Sequence, residues 1–146
     1  MSTSATGVEN VVLRNELADL LAEAAVVEHD VLCQYLFAAA SLKQHHAEGG
    51  VTYAQLELMR GWKTTIMEVA RQEMEHLGIV SNLLTAIGEA PRFDRPDFPV
   101  ARSILPIDQD SLLQRFSDES ILRFVCFEMP AEPPADDIAY LRTRIA

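Results

Sequence analysis

Residues 52–88 read TYAQLELMRGWKTTIMEVARQEMEHLGIVSNLLTAIG, and this stretch decides the fold. Leu56, Met59, Ile66, Val69, Ala70, Leu77, Val80, Leu84 and Ile87 recur at the spacing of one helical face. Thr52 and Gln55 stand three apart, as a capping box requires, so the helix is predicted to start at Thr52. Gly88 stops it after Ile87, with Pro91 just beyond. Gly61 marks a bend, or the boundary of a short preceding helix.

Working upstream, a first helix is predicted from about Val11 to His46. Leu13, Leu17, Leu20, Leu21, Ala24, Ala25, Leu32, Tyr35, Leu36 and Ala39 carry its apolar stripe. Thr6 and Glu9 have capping-box spacing, and Asn10 is an alternative cap. From Ala24 to Ala40 apolar residues surround nearly the whole helix, which calls for cover on most faces, within a bundle or between subunits. The run Ala38-Ala39-Ala40 lets a partner helix approach closely. Gly49-Gly50 makes the turn between the two helices. Downstream, all seven prolines lie between Pro91 and Pro134. That zone is predicted to hold a loop, Arg92 to Pro106, and short helices at Ser111–Phe116 and Glu119–Glu128. No segment reads as a strand. The chain is therefore all-α and one domain over 1–146, with a long hairpin at 10–90 and a loop with short helices at 91–146.

Composition narrows the function. Twelve Lys and Arg against 22 Asp and Glu give a net charge of −10, with 49% hydrophobic residues. That is a globular composition, and its acidity argues against nucleic acid or an anionic membrane surface as a partner. Met1 to Asn10 has neither the basic start nor the apolar core of a secretory signal. The richest apolar run, Val31 to Leu42, is too short for a membrane span and contains Gln34. Cys33 and Cys126 read as reduced core thiols, which places the chain in the cytoplasm.

Two carboxylates stand out. Glu28 lies within the apolar stripe of the first helix, among Ala24, Ala25, Val31, Leu32 and Tyr35. Glu73 lies within that of the second, with His76 three residues on. A carboxylate buried there is costly unless it is paired, protonated or bound to a metal. Glu68 and Glu75 fall on the polar face and read as solvated. If the helices form an antiparallel hairpin, Glu28 and Glu73 are equidistant from the Gly50–Val51 junction. Both then lie at one level, roughly 30 Å from the turn at about 1.5 Å per residue. One Glu plus Glu-x-x-His is half of a dinuclear carboxylate site, with donors that suit iron or manganese. The competing reading pairs Glu28 with a core Arg or with Tyr35. Other residues have plainer readings: His29 a satisfied core or interface histidine, His45 and His46 solvated, Trp62 packing. Tyr35 reads as core packing, with a hydrogen-bond donor or radical relay as the functional alternatives. Glu128 is either a helix-end carboxylate near the site or a surface group.

The segments Glu28 to Leu36, Val69 to Leu77, Val80 to Pro91 and Phe124 to Pro130 resemble the ferritin-like domain of the iminophenyl-pyruvate dimer synthase type. The resemblance covers about three quarters of the chain. It implies a ferritin-like four-helix bundle and iron-dependent oxidation of a small molecule in secondary metabolism, with Glu28, Glu73 and His76 as metal ligands. Members of that family carry third and fourth ligand helices. Here only Ala131 to Ala146 follow the Glu128-Met129-Pro130 segment, so the chain reads as a shortened form. Either the site is incomplete, or a second chain completes it; a second copy would complete the bundle as a homodimer or higher homo-oligomer, doubling the set to four Glu and two His. The leading expectation is a di-iron oxidoreductase acting on a small organic substrate, manganese being the alternative metal and the catalytic residues unassigned. An iron-handling ferroxidase or storage protein, and a metal-free helical dimerisation module, are the alternatives.

Overall fold

A computed structural model describes residues 4–99 and 111–130, together with 132, 134–136, 139, 140 and 143. Three helices make the fold: α1 over Ser4–Ser41, α2 over Tyr53–Ala86 and α3 over Asp118–Phe127. A short 3-10 turn, His46–Glu48, lies between α1 and α2. There is no β-strand among the described residues, and no helix among them is long and apolar enough to cross a membrane.

The second helix follows its local signals closely. Thr52 is the N-cap: its Oγ1 accepts from the Gln55 N–H at 3.2 Å, and Gln55 Oε1 accepts from the Thr52 N–H at 2.8 Å. Gly88, at φ 84°, takes the left-handed conformation that closes the helix. Gly61 lies inside an unbroken helix, because apolar contacts on both sides outweigh its weak propensity.

The first helix differs from the sequence reading at both ends. It starts at Ser4, so positions 6, 9 and 10 lie within it rather than at its start. Helix extension adds a hydrogen bond per residue, and no proline opposes it there. It ends at Ser41 rather than His46. The reason is competition from side chains. Ser41 Oγ donates to the Ala38 carbonyl, and Glu48 Oε1 accepts from the N–H groups of Gln44 and His45. Gly49 and Gly50, at φ 73° and 69°, then reverse the chain.

The hairpin is antiparallel and in the expected register. At its far end Arg14 Nε donates to the Ile87 carbonyl at 2.9 Å, and Arg14 Nη2 to Glu89 at 2.8 Å. Arg14 and Ile87, like Glu28 and Glu73, are equidistant from the Gly50–Val51 junction.

The core sits in the half of the hairpin nearest the turn. Val31, Tyr35, Ala38 and Ala39 of α1, with Leu42 just after it, meet Ile66 and Ala70 of α2 and Phe124 of α3. Ala38 and Ala39 are fully buried here, so the close approach they permit is used within the chain. Ser111–Phe116 is not helical, contrary to the sequence reading. Gln34 Nε2 donates to Ser111 Oγ at 2.7 Å, Ser111 Oγ donates to Asp30, and Ser41 Oγ accepts from the Phe116 N–H at 2.7 Å. These bonds strap the segment along α1, and Ser117 then caps α3 by accepting from the Ser120 N–H. Toward the other end, no described residue covers Leu17 or Leu20 of α1. Leu17 and Leu20 are 45% and 65% exposed; within Ala24–Ala40, where cover on most faces was expected, most positions are buried or half-buried, and Leu36, Phe37 and Ala40 stay exposed.

Candidate metal centre

Glu28 projects from α1, and Glu73 and His76 from α2, where the register sets them level. One ligand atom from each of the three lies within 4.8 Å of the others. His76 Nδ1 is 3.3 Å from Glu73 Oε2 and 3.5 Å from Glu28 Oε2. Glu73 is the inner residue, 9% exposed, whereas the His76 side chain is 52% exposed at the mouth. The site is thus closed at its carboxylate floor and open at its imidazole.

The electrostatics are those of a site short of positive charge. The Glu28 carboxyl is pushed up to about 7. Burial is the main cause, followed by its hydrogen bond to Glu73 and the repulsion between the two carboxylates, with His76 opposing. His76 is pulled down by desolvation, but its contacts with Glu73 and Glu28 outweigh that and raise it. A proton held between two partly buried carboxylates is what a cation replaces. The donor set, two carboxylates and an imidazole with a half-open approach, suits iron or manganese.

The other residues singled out from sequence fall as follows. Glu75 pairs with Arg71 at 2.7 Å on the exposed face, and Glu68 is exposed. His45 and His46 are exposed, and His46 stacks on Tyr53. Trp62 stacks on Phe116 with centroids 5.4 Å apart. His29 was expected to be satisfied, but its Nδ1 is buried with no hydrogen-bond partner among the described residues. Cys33 and Cys126 are unbonded, and burial raises both thiols.

Tyr35 and Glu128 carry what the sequence left open. The Tyr35 hydroxyl donates to Glu128 Oε1 at 2.6 Å. Its ring packs on Phe124, with centroids 4.4 Å apart. Desolvation, then the Glu128 hydrogen bond and charge, then the charge of Glu73, push the phenol up beyond the usual tyrosine range. A carboxylate on α3 is thereby held to a tyrosine that also feels Glu73. The signal in the sequence was the spacing: Tyr35 follows Glu28 by two helical turns, and Phe124 and Phe127 precede Glu128.

With this geometry in hand, comparison with known proteins is informative. A family model described as ferritin-like matches residues 21–144. The chain belongs to the ferritin-like family. It is 33% identical over 136 residues to a 2-imino-3-(indol-3-yl)propanoate dimerase of Chromobacterium violaceum, covering 82% of this chain and 14% of that protein. It is also 33% identical over 132 residues to a dichlorochromopyrrolate synthase of Lentzea aerocolonigenes, covering 80% of this chain and 13% of that protein. The chain thus spans about one seventh of the length of these curated relatives. No solved structure matches significantly. The ferritin-like assignment and the helical hairpin agree with what residues 28–36 and 69–91 implied.

Proposed function

We propose that this chain is a metalloprotein that holds iron through Glu28, Glu73 and His76 and acts as an oxidoreductase on a small organic molecule in secondary metabolism. The observation that carries the reading is the convergence of two carboxylates and an imidazole within 4.8 Å. The small-molecule half draws support from the two relatives, whose names describe a dimerase and a synthase of small organic compounds.

Iron bound there, as one ion or two, supplies one-electron redox chemistry and open coordination positions; manganese fits the same donors. Glu73 is the buried anchor. Glu28, whose carboxyl burial raises, would be the second carboxylate holding the ion, and His76 would bind from the open side, where a substrate could approach. Tyr35 keeps Glu128 in place by donating its phenolic proton.

The working form we propose is a homodimer. Leu13, Leu17 and Leu20 of α1 and Ile79 and Leu83 of α2 are exposed large apolar residues, and Ile79 and Leu83 share a face with His76. A second hairpin laid on that face covers them and brings further carboxylate and imidazole donors to the metal. Two unbonded thiols fit a cytoplasmic location.

The test is elemental analysis of the chain after anaerobic loading with Fe(II), followed by oxygen exposure with and without aromatic imino acids. Retained iron whose turnover depends on the organic molecule supports the reading. Rapid Fe(II) oxidation alone points to iron handling, and no retained metal refutes both.

A further inference from the structure

The third helix ends in a carboxylate. Glu128 is the C-cap of α3, and no basic residue stands in the last turn of that helix. The carbonyl end of a helix carries partial negative charge, so an anion is disfavoured there. Among the described residues Glu128 has no salt bridge. Its side chain accepts one hydrogen bond among them, from the Tyr35 hydroxyl.

Tyr35 fixes where that carboxylate lies. The tyrosine is 2% exposed and packs in one cluster with Ala70, one turn before Glu73, and with Phe124 and Phe127, which lead up to Glu128. It follows Glu28 by two turns on the same stripe of α1. Side chains on a helix lean toward its N-terminus, so the hydroxyl is carried back toward the level of Glu28 and Glu73. The charge of Glu73 reaches this hydroxyl, and the 2.6 Å bond joins it to Glu128. A third carboxylate thus stands on the Tyr35 side of the metal centre, on an exposed residue at a helix end. It lies outside the three ligand atoms that gather within 4.8 Å. Those three are few for iron or manganese, which take up to about six oxygen and nitrogen donors.

We propose that Glu128 is a third carboxylate donor of the metal centre, held on the Tyr35 hydroxyl and drawn from it to the cation. The inference rests on the metal reading above. A cation is the largest local charge in such a site and outcompetes a neutral phenol for a carboxylate. No covalent bond changes: the hydrogen bond from Tyr35 to Glu128 is given up, and Tyr35, raised by burial and by its acidic neighbours, keeps its proton. Leaving the buried hydroxyl without its acceptor offsets part of the gain, so Tyr35 tunes the affinity of the centre.

The test is Mn(II) titration of the full chain at about pH 8, read by loss of the paramagnetic resonance signal of the free ion. Glu128→Gln keeps the size and removes the charged donor, and should weaken binding about tenfold. Tyr35→Phe frees Glu128 and should tighten binding about fivefold, the scale of one hydrogen bond. The double variant should bind as weakly as Glu128→Gln. A merely structural tie predicts the same direction in both single variants, because each loses the same bond. In the parent, Mn(II) should also produce a tyrosine difference absorption that Tyr35→Phe lacks. Equal affinity in the parent and Glu128→Gln, or unchanged or weaker binding in Tyr35→Phe, would overturn this proposal alone. No Mn(II) binding by the parent would overturn it together with the metal reading.

Discussion

Tyr35 and Glu128 are 93 residues apart in sequence and joined by a 2.6 Å hydrogen bond. The phenol is buried against Phe124, and the carboxylate belongs to the C-cap of α3. This one bond ties the third helix to the hairpin beside the Glu73 site.

A double-mutant cycle measures that tie. Tyr35→Phe removes the donor with little change of shape, and Glu128→Gln removes the charge of the acceptor. Each should lower unfolding free energy in urea, and their coupling should be about 1–2 kcal/mol, the scale of a hydrogen bond to a charged group. Additive effects would mean that this bond does not couple α3 to the hairpin.

Metal content distinguishes the two faces of α2. Glu28→Ala, Glu73→Ala and His76→Ala should each lower retained iron by about tenfold or more, whereas Glu75→Ala should leave it unchanged. Glu75 pairs with Arg71 on the exposed side, so its loss should change stability by no more than about 0.5 kcal/mol. In chelator, Glu73→Ala should be as stable as the parent or more so, because it removes a buried carboxylate facing another. Equal iron in all four variants would dismiss the assignment.

The stability of the metal-free protein should depend on pH in a defined direction. Folding raises the Glu28 carboxyl from 4.5 to about 7 and also raises His76. Between those values the folded state binds more protons than the unfolded state, so stability is greatest below the lower pKa and falls as pH rises through the upper one. Urea midpoints in chelator should therefore decline from about pH 5 to about pH 8, and Glu28→Gln should flatten the decline. Excess Mn(II) should restore stability more at the alkaline end, where Glu28 has lost its proton. A midpoint that rises over this range would contradict the shared-proton site.

Assembly is read by sedimentation at low micromolar concentration. The proposed homodimer should be the main species, and Leu17→Glu with Leu20→Glu should shift it to monomer while keeping helical circular dichroism. Both side chains are exposed within one chain, so their replacement leaves its own core intact. A folded monomer for the parent chain would remove the shared-site model.

Much of this molecule was legible in residue order because the rules involved are local. The Thr52–Gln55 box, the Gly88 stop and the Gly49-Gly50 reversal each depend on a few adjacent residues and the conformations they allow. Periodicity put Glu28 and Glu73 within the apolar stripes with His76 one turn beyond Glu73, and counting from the turn set the two carboxylates level. Where α1 stops was decided by side-chain bonds from Ser41 and Glu48 that no periodicity registers. Only the tertiary structure decided the course of Ser111 to Glu128. The Ser111 strap on Asp30 and Gln34, and the pairing of Tyr35 with Glu128, join positions far apart in the chain. Such contacts follow from which groups must find partners once packing excludes water, and the same exclusion sets the Glu28 carboxyl near neutrality. Residue order determined which groups face the site; packing determined their charge and their company.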